Sequence, residues 1–180
     1  MKRRIIACYD ANKYYNLYTL HNILVTNDKF DIKYILAVLN SNILNYYFAS
    51  NYKDIHIKPR YLSELPIPEL EFSKQKILVE YSNNIIEQSQ NLNKFQLKVI
   101  NMLRRDFGLE KPTKKLEAWY ELSLQDFFKE LLKAKINLTA IQKDEMQDYF
   151  ETYQKQAIAT KNEIVATDKA IDKMVYELYG

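Results

Sequence analysis

The sequence predicts an α+β chain: a small mixed α/β head over residues 1–70, followed by a long antiparallel helical hairpin, a coiled coil, over residues 71–180. Three observations predict it. The first 25 residues carry runs of β-forming side chains separated by a polar turn. After Phe72 the apolar residues instead recur at alternating steps of three and four, the signature of a helical seam. The charge divides at the same place: residues 1–70 hold nine Lys/Arg against six Asp/Glu, whereas residues 71–180 balance 17 against 17.

Arg3 to Tyr9 reads as a strand, Asp10-Ala11-Asn12-Lys13 as a turn, and Tyr14 to Val25 as a second strand, which together predict a hairpin. Asp31 is placed to cap a helix. From it Ile32, Ile35, Leu36, Leu39, Ile43 and Tyr47 recur at helical spacing, predicting one helix over 31–49. A polar loop, 51–54, leads into Ile55-His56-Ile57-Lys58, which alternates like a short strand. Pro59 and Leu65-Pro66-Ile67-Pro68 then predict an extended exit.

In the second part, Leu78, Tyr81, Ile85, Gln88, Leu92, Phe95, Val99 and Met102 form the first seam, and Gly108 is placed to end its helix. A helix over 73–106 would span roughly 50 Å at the usual rise per residue. A connector with Lys111-Pro112-Thr113 follows, then an aromatic helical piece carrying Trp119, Leu122, Phe127, Phe128, Leu131 and Leu132. The second seam runs Met146, Phe150, Tyr153, Ala157, Thr160, Ile164, Thr167, Ile171, Met174, Leu178. Intramolecular pairing of the two seams is favoured over dimerisation, so a monomer is expected.

Composition excludes several functions. The 180 residues include two glycines, Gly108 and Gly180, too few and too far apart for a phosphate-cradling loop. No apolar run reaches the roughly 18 residues of a membrane span. The single cysteine, Cys8, cannot form an internal disulfide and fits a reducing, cytoplasmic setting; within the first strand it reads as a small buried hydrophobe. His21 and His56 stand 35 positions apart, with no Cys or Glu at metal-ligand spacing. No self-sufficient active site, metal site or cofactor site is expected, and the chain is not expected to be an enzyme by itself.

The best candidate binding segment is Ser50 to Tyr61. It combines Lys53, Lys58 and Arg60 with Asn51, Tyr52, His56 and Tyr61. Lys and Arg neutralise phosphates, Arg pairs bidentately with guanine, Asn pairs with adenine, and aromatic rings stack on bases. The bland alternative is an ordinary loop with scattered charge. The turn holding Asn12 and Lys13 has the same mixture and the same two readings.

The run Asp31 to Phe48, with Leu39-Asn40-Ser41 at its centre, resembles the LNS helix of the TaqI-like C-terminal specificity domain. That domain is found in adenine DNA methyltransferases and type IIG restriction-modification enzymes. Ile57-Lys58-Pro59-Arg60-Tyr61-Leu62-Ser63-Glu64-Leu65-Pro66-Ile67-Pro68 resembles the same family's exit motif. Trp119 to Leu122, Phe127 to Leu131 and Ile171 to Gly180 resemble the distal helices of type IIG polypeptides. The resemblance implies a target recognition domain that reads double-stranded DNA, with a helical stalk similar to the spacers of type I specificity subunits. It also implies that methylation, with its S-adenosylmethionine cofactor, belongs to a catalytic domain outside this chain, since the Asn/Asp-Pro-Pro-Tyr/Phe motif is missing. The chain is therefore expected to be a piece of a longer restriction-modification polypeptide and to partner the rest of it. The resemblance supplies scaffold residues only, so the DNA-contact assignments rest on side-chain chemistry. A different class remains open: a helical protein-interaction module with no DNA binding of its own.

Overall fold

A computed structural model describes residues 5–12, 14–17, 20–54 and 56–180. Its elements are α1 (Ile32–Asn40), α2 (Asn42–Asn51), α3 (Pro59–Ser63), α4 (Phe72–Phe107) and α5 (Lys114–Glu117), a 3-10 turn at Trp119–Glu121, α6 (Leu124–Lys133) and α7 (Ala140–Leu178). They form two compact units. One comprises residues 1–86 with 166–180, the other residues 87–165.

The expected α+β class is overturned, because the described residues contain helices and no strand. The physical reason lies in Ile5 to Tyr9. This segment is extended, but helix side chains occupy the edge that a sister strand would use. The Ile5 N–H donates to Asn45 Oδ1 at 2.7 Å. Asn40 pairs with Ala7 twice, accepting its N–H at 2.9 Å and donating to its carbonyl at 3.0 Å. A primary amide carries an acceptor and two donors, and so can present the same N–H and C=O pair that an opposing peptide unit would bring. The expected partner strand, Tyr14 to Val25, forms no ladder among its described residues. It exposes Tyr14, Tyr15, Leu17, Leu20 and Leu24. Cys8 is likewise exposed rather than buried, since it alternates with the inward-facing Ile5 and Ala7. Of the expected strand 55–58, Ile55 lies outside the described residues and 56–58 is not a strand.

The single helix expected over 31–49 is two helices. Asp31 caps α1, its carboxylate accepting from the Lys33 N–H at 2.7 Å. At Ser41 the backbone swings to φ −67°, ψ 149°. Its buried hydroxyl donates to the Val38 carbonyl at 2.7 Å and faces the Leu44 N–H as cap of α2. Hydroxyl capping of this kind competes with the helical bond pattern and breaks it. Asn45, fully buried, spans the break by donating to the Leu39 and Ser41 carbonyls, each at 3.0 Å. From α7, Asp172 accepts from the Asn42 backbone and side-chain amides, so a carboxylate sits at the α2 N-terminus where the helix dipole favours it.

Pro59 begins α3 instead of an extended exit, because at the first helical position its missing N–H costs nothing. The exit proper, Leu65–Pro68, is held by two tyrosine hydroxyls. Tyr34 donates to the Pro68 carbonyl at 2.8 Å and Tyr179 to the Pro66 carbonyl at 2.6 Å. Burial pushes both phenols up to about 12. Fully buried Gln75 joins the start of α4 to this unit through the Asp31 N–H and the Lys29 and Leu70 carbonyls.

The second unit is built around Trp119, Phe127 and Phe150, all 0–1% exposed, with Leu116 and Leu131 from the connector and Val99, Leu103, Met146 and Ala157 from α4 and α7. Its seam residues therefore pack against the connector as well as against each other. The Phe127 and Phe150 rings lie 4.7 Å apart, and burying each contributes about 2 kcal/mol. Gly108, at φ 67°, ends α4 as its position predicts, with the Leu109 N–H returning to the Leu103 carbonyl.

If the asparagine amides hold the first unit together, Asn45→Ala leaves the Ile5 N–H without its partner in a buried place. It also takes a side-chain donor from the Leu39 and Ser41 carbonyls, the latter keeping the backbone N–H of residue 45. The expected cost is about 3 kcal/mol of unfolding free energy, read by urea denaturation. A change below 0.5 kcal/mol, on the order of an ordinary surface substitution, would contradict this role.

Candidate functional site

The helix break sets the direction of α2, and α2 sets the loop that follows. Leu44 and Phe48 point into the core, and Tyr52 follows one turn after Phe48. α2 stops at Asn51, where Tyr52 turns extended at φ −119°, ψ 110° while its N–H still reaches the Phe48 carbonyl. The chain then reaches α3, which brings Tyr61 back onto the same rings. The Tyr52 and Tyr61 rings stack 4.3 Å apart at 25°, and Phe48 lies 5.0 Å from Tyr52. An aromatic stack thus closes both ends of the loop at once.

Inside the loop Asp54 is the hub. Its carboxylate accepts from the Tyr61 hydroxyl and from the Lys58 ammonium at 2.8 Å. Bonding to Lys58, and secondarily to Tyr61, holds the Asp54 carboxyl below its usual value. The same contact with Asp54 raises Lys58. The Tyr52 hydroxyl donates to Glu64 at 3.0 Å; its desolvation and this carboxylate both raise the phenol. The Arg60 guanidinium lies 5.3 Å from the Tyr61 ring centre and the Lys58 ammonium 5.5 Å, both within cation–π range. His21 fastens the preceding segment to the loop by donating from Nε2 to the Ile57 carbonyl at 2.7 Å.

The structure therefore brings Tyr52, Lys58 and Arg60 together around Tyr61. Asn51, Lys53 and His56 lie on the same segment and are exposed. Asn51 donates back to the Tyr47 carbonyl at 2.9 Å, and the Lys53 ammonium lies 3.5 Å from the Ala49 carbonyl. Asn12 stands on a turn organised by Asp10, bonded to Asp10 and Tyr14 and, among the described residues, to nothing in the α2–α3 loop. Lys13 lies outside the described residues. Counting cations and aromatics along the loop overlooks Asp54 and Glu64, the carboxylates that accept from Tyr61 and Tyr52 and hold it. The opposite charges of Asp54 and Lys58, four positions apart, are the readable trace of that clamp.

Beside Asn51, Tyr46, Tyr47, Pro66 and Tyr179 line a shallow apolar groove of about 280 Å³. Among the described residues no group of three or more His, Cys, Asp or Glu side chains could hold a metal ion. No helix among them is long and apolar enough to cross a membrane. The arrangement offers cations and amides on a loop braced by packed aromatic rings, which is chemistry for binding a polyanion.

Comparison with known families matches residues 1–67 to the TaqI-like C-terminal specificity domain and residues 71–175 to a domain of unknown function (DUF8810). No curated protein and no solved structure matches the chain.

The Asp54 clamp has a pH signature. A carboxyl lowered in the folded state keeps its contribution above the ordinary carboxylate value of 3.8 and loses it only as pH falls through the lowered value. Carboxyl-carbon NMR is expected to show Asp54 titrating below 3.8, and Lys58→Ala is expected to move it back up. Titration of wild-type Asp54 at the ordinary value would remove the clamp from the account.

Proposed function

This chain belongs to the DUF8810 family and carries a TaqI-like C-terminal specificity domain at its head, and from that premise we propose that it is the DNA-reading part of a restriction-modification adenine methyltransferase. The observation that carries the proposal is the match of residues 1–67 to a specificity domain. The geometry offers a surface for it: the α2–α3 loop, braced by the stacked Tyr52 and Tyr61 rings with Phe48 tilted against them, and presenting Arg60, Lys53, His56 and Asn51 outward.

In this reading Lys53 neutralises backbone phosphate and sets the register on the duplex, while Arg60, supported on the Tyr61 ring, reads a guanine edge in the major groove. Asn51 is the candidate adenine reader, and Tyr52 serves from beneath, as part of the stack. Methyl transfer belongs to a catalytic domain outside this chain, and S-adenosylmethionine with it. The two glycines do not fit a cofactor loop here: Gly108 terminates α4 and Gly180 follows α7. The adenine to be methylated would be flipped into that other domain. The helices after residue 70 would hold the head to its parent polypeptide, in a monomer working in the cytoplasm.

The test is fluorescence anisotropy of the full chain with a random-sequence duplex pool across a salt series, followed by selection of the bound fraction. Binding is expected to weaken linearly in logarithmic terms as salt rises, with a short motif enriched. Arg60→Ala should cost about 1–3 kcal/mol on the enriched sequence and relax preference at one position. Lys53→Ala should weaken all sequences alike and lower the salt slope by about one. If both variants keep wild-type affinity and preference, the loop is not the reading surface.

A further inference from the structure

We propose that Asp54 is the positioning residue of the reading loop: its carboxylate clamps Lys58 and Tyr61, withholding one cation from the phosphate backbone while fixing the ring on which Arg60 rests. The inference rests on the reading that this loop faces duplex DNA. It assigns a negative charge to the middle of a surface meant for a polyanion, which is otherwise a liability.

The geometry explains why such a charge is placed there. Lys58 lies at the N-terminal boundary of α3 and its ammonium reaches Asp54 at 2.8 Å. An ammonium on a four-carbon stem is mobile, and the carboxylate beside it competes with phosphate for it. Tyr61 is 6% exposed, and its one polar atom is tied to the same carboxylate. The bond and the Tyr52 stack together hold the ring beside Arg60. Phosphate contacts add affinity for any sequence, whereas a base-reading guanidinium adds discrimination only if its direction is fixed. Asp54 thus exchanges non-specific affinity for sequence preference.

That exchange separates the proposal from a merely structural role, because loss of structure lowers affinity and preference together. Asp54→Asn keeps the shape of the side chain and removes its charge. In the full chain it is expected to tighten binding to the random-sequence duplex pool at 50 mM salt about threefold. It should also steepen the salt slope by about one, an ion-release increment for one added phosphate contact. Discrimination between the enriched sequence and the pool should fall about tenfold. Adding Lys58→Ala to Asp54→Asn should remove the gained slope. Tyr61→Phe, which keeps the ring and the ion pair, should lower discrimination with the slope unchanged.

The outcomes separate cleanly. Absence of salt-dependent duplex binding by the wild-type chain overturns the DNA reading itself. Wild-type binding together with an unchanged slope and unchanged discrimination in Asp54→Asn overturns the clamp and leaves the DNA reading standing. Should Asp54→Asn lose its helical circular dichroism, Tyr61→Phe decides: full wild-type discrimination in that variant overturns the proposal, and reduced discrimination at wild-type slope supports it.

Discussion

The break in the helix at Ser41 is the constraint on which the first unit depends. A straight helix from Ile32 to Asn51 would carry every side chain after Leu39 in another direction. The fully buried hydroxyl of Ser41 closes α1 by bonding Val38 and opens α2 by facing Leu44, meeting one terminal backbone group of each helix. Around it, Asn40, Asn42 and Asn45 each take a separate task. Asn40 holds Ala7, Asn42 meets Asp172, and Asn45 spans the break and anchors Ile5. A polar cluster of this kind is costly when partly satisfied and rigid when complete. Among the described residues no buried side-chain nitrogen or oxygen lacks a hydrogen-bond partner.

The candidate site inherits its geometry from that break. With α2 redirected, Phe48 enters the core and Tyr52 emerges at the end of the helix, where Tyr61 from α3 can stack on it. Pro59 contributes by setting φ at the first position of α3, so that Arg60 and Tyr61 are helical at once. The loop between them is short, and aromatic contacts tie it at both ends. Its charged groups are therefore presented from a braced frame, which reduces the entropy lost on binding. The exposed residues carry the chemistry, and the half-buried ones decide where it points.

How much of this is legible in the sequence differs by element. The long helices are readable because seam spacing repeats over many turns, and glycine at 108 marks an end that only a left-handed residue fits easily. The Asp31 cap is equally local and equally readable. The hairpin is not, because β-forming residues in Ile5 to Tyr9 specify an extended backbone and not the identity of its partner. That partner is a pair of asparagine amides 33 and 40 positions away, and nothing periodic announces them. The Ser41 break is hidden for the opposite reason: apolar spacing continues across it, so the periodic signal overrides a single hydroxyl. In the site, cations and aromatics are visible as a cluster, whereas Asp54 shows its importance only once Lys58 and Tyr61 converge on it. Asn12 shows the limit of composition, since the same residue types there form a local turn.

The most direct test of the central claim follows backbone amide shifts of the full chain by NMR during titration with a short duplex carrying the enriched sequence. The account predicts that the largest changes fall between Asn51 and Ser63, with the amides of residues 87–165 unmoved. Changes confined to residues 87–165, with the α2–α3 loop silent, would contradict it.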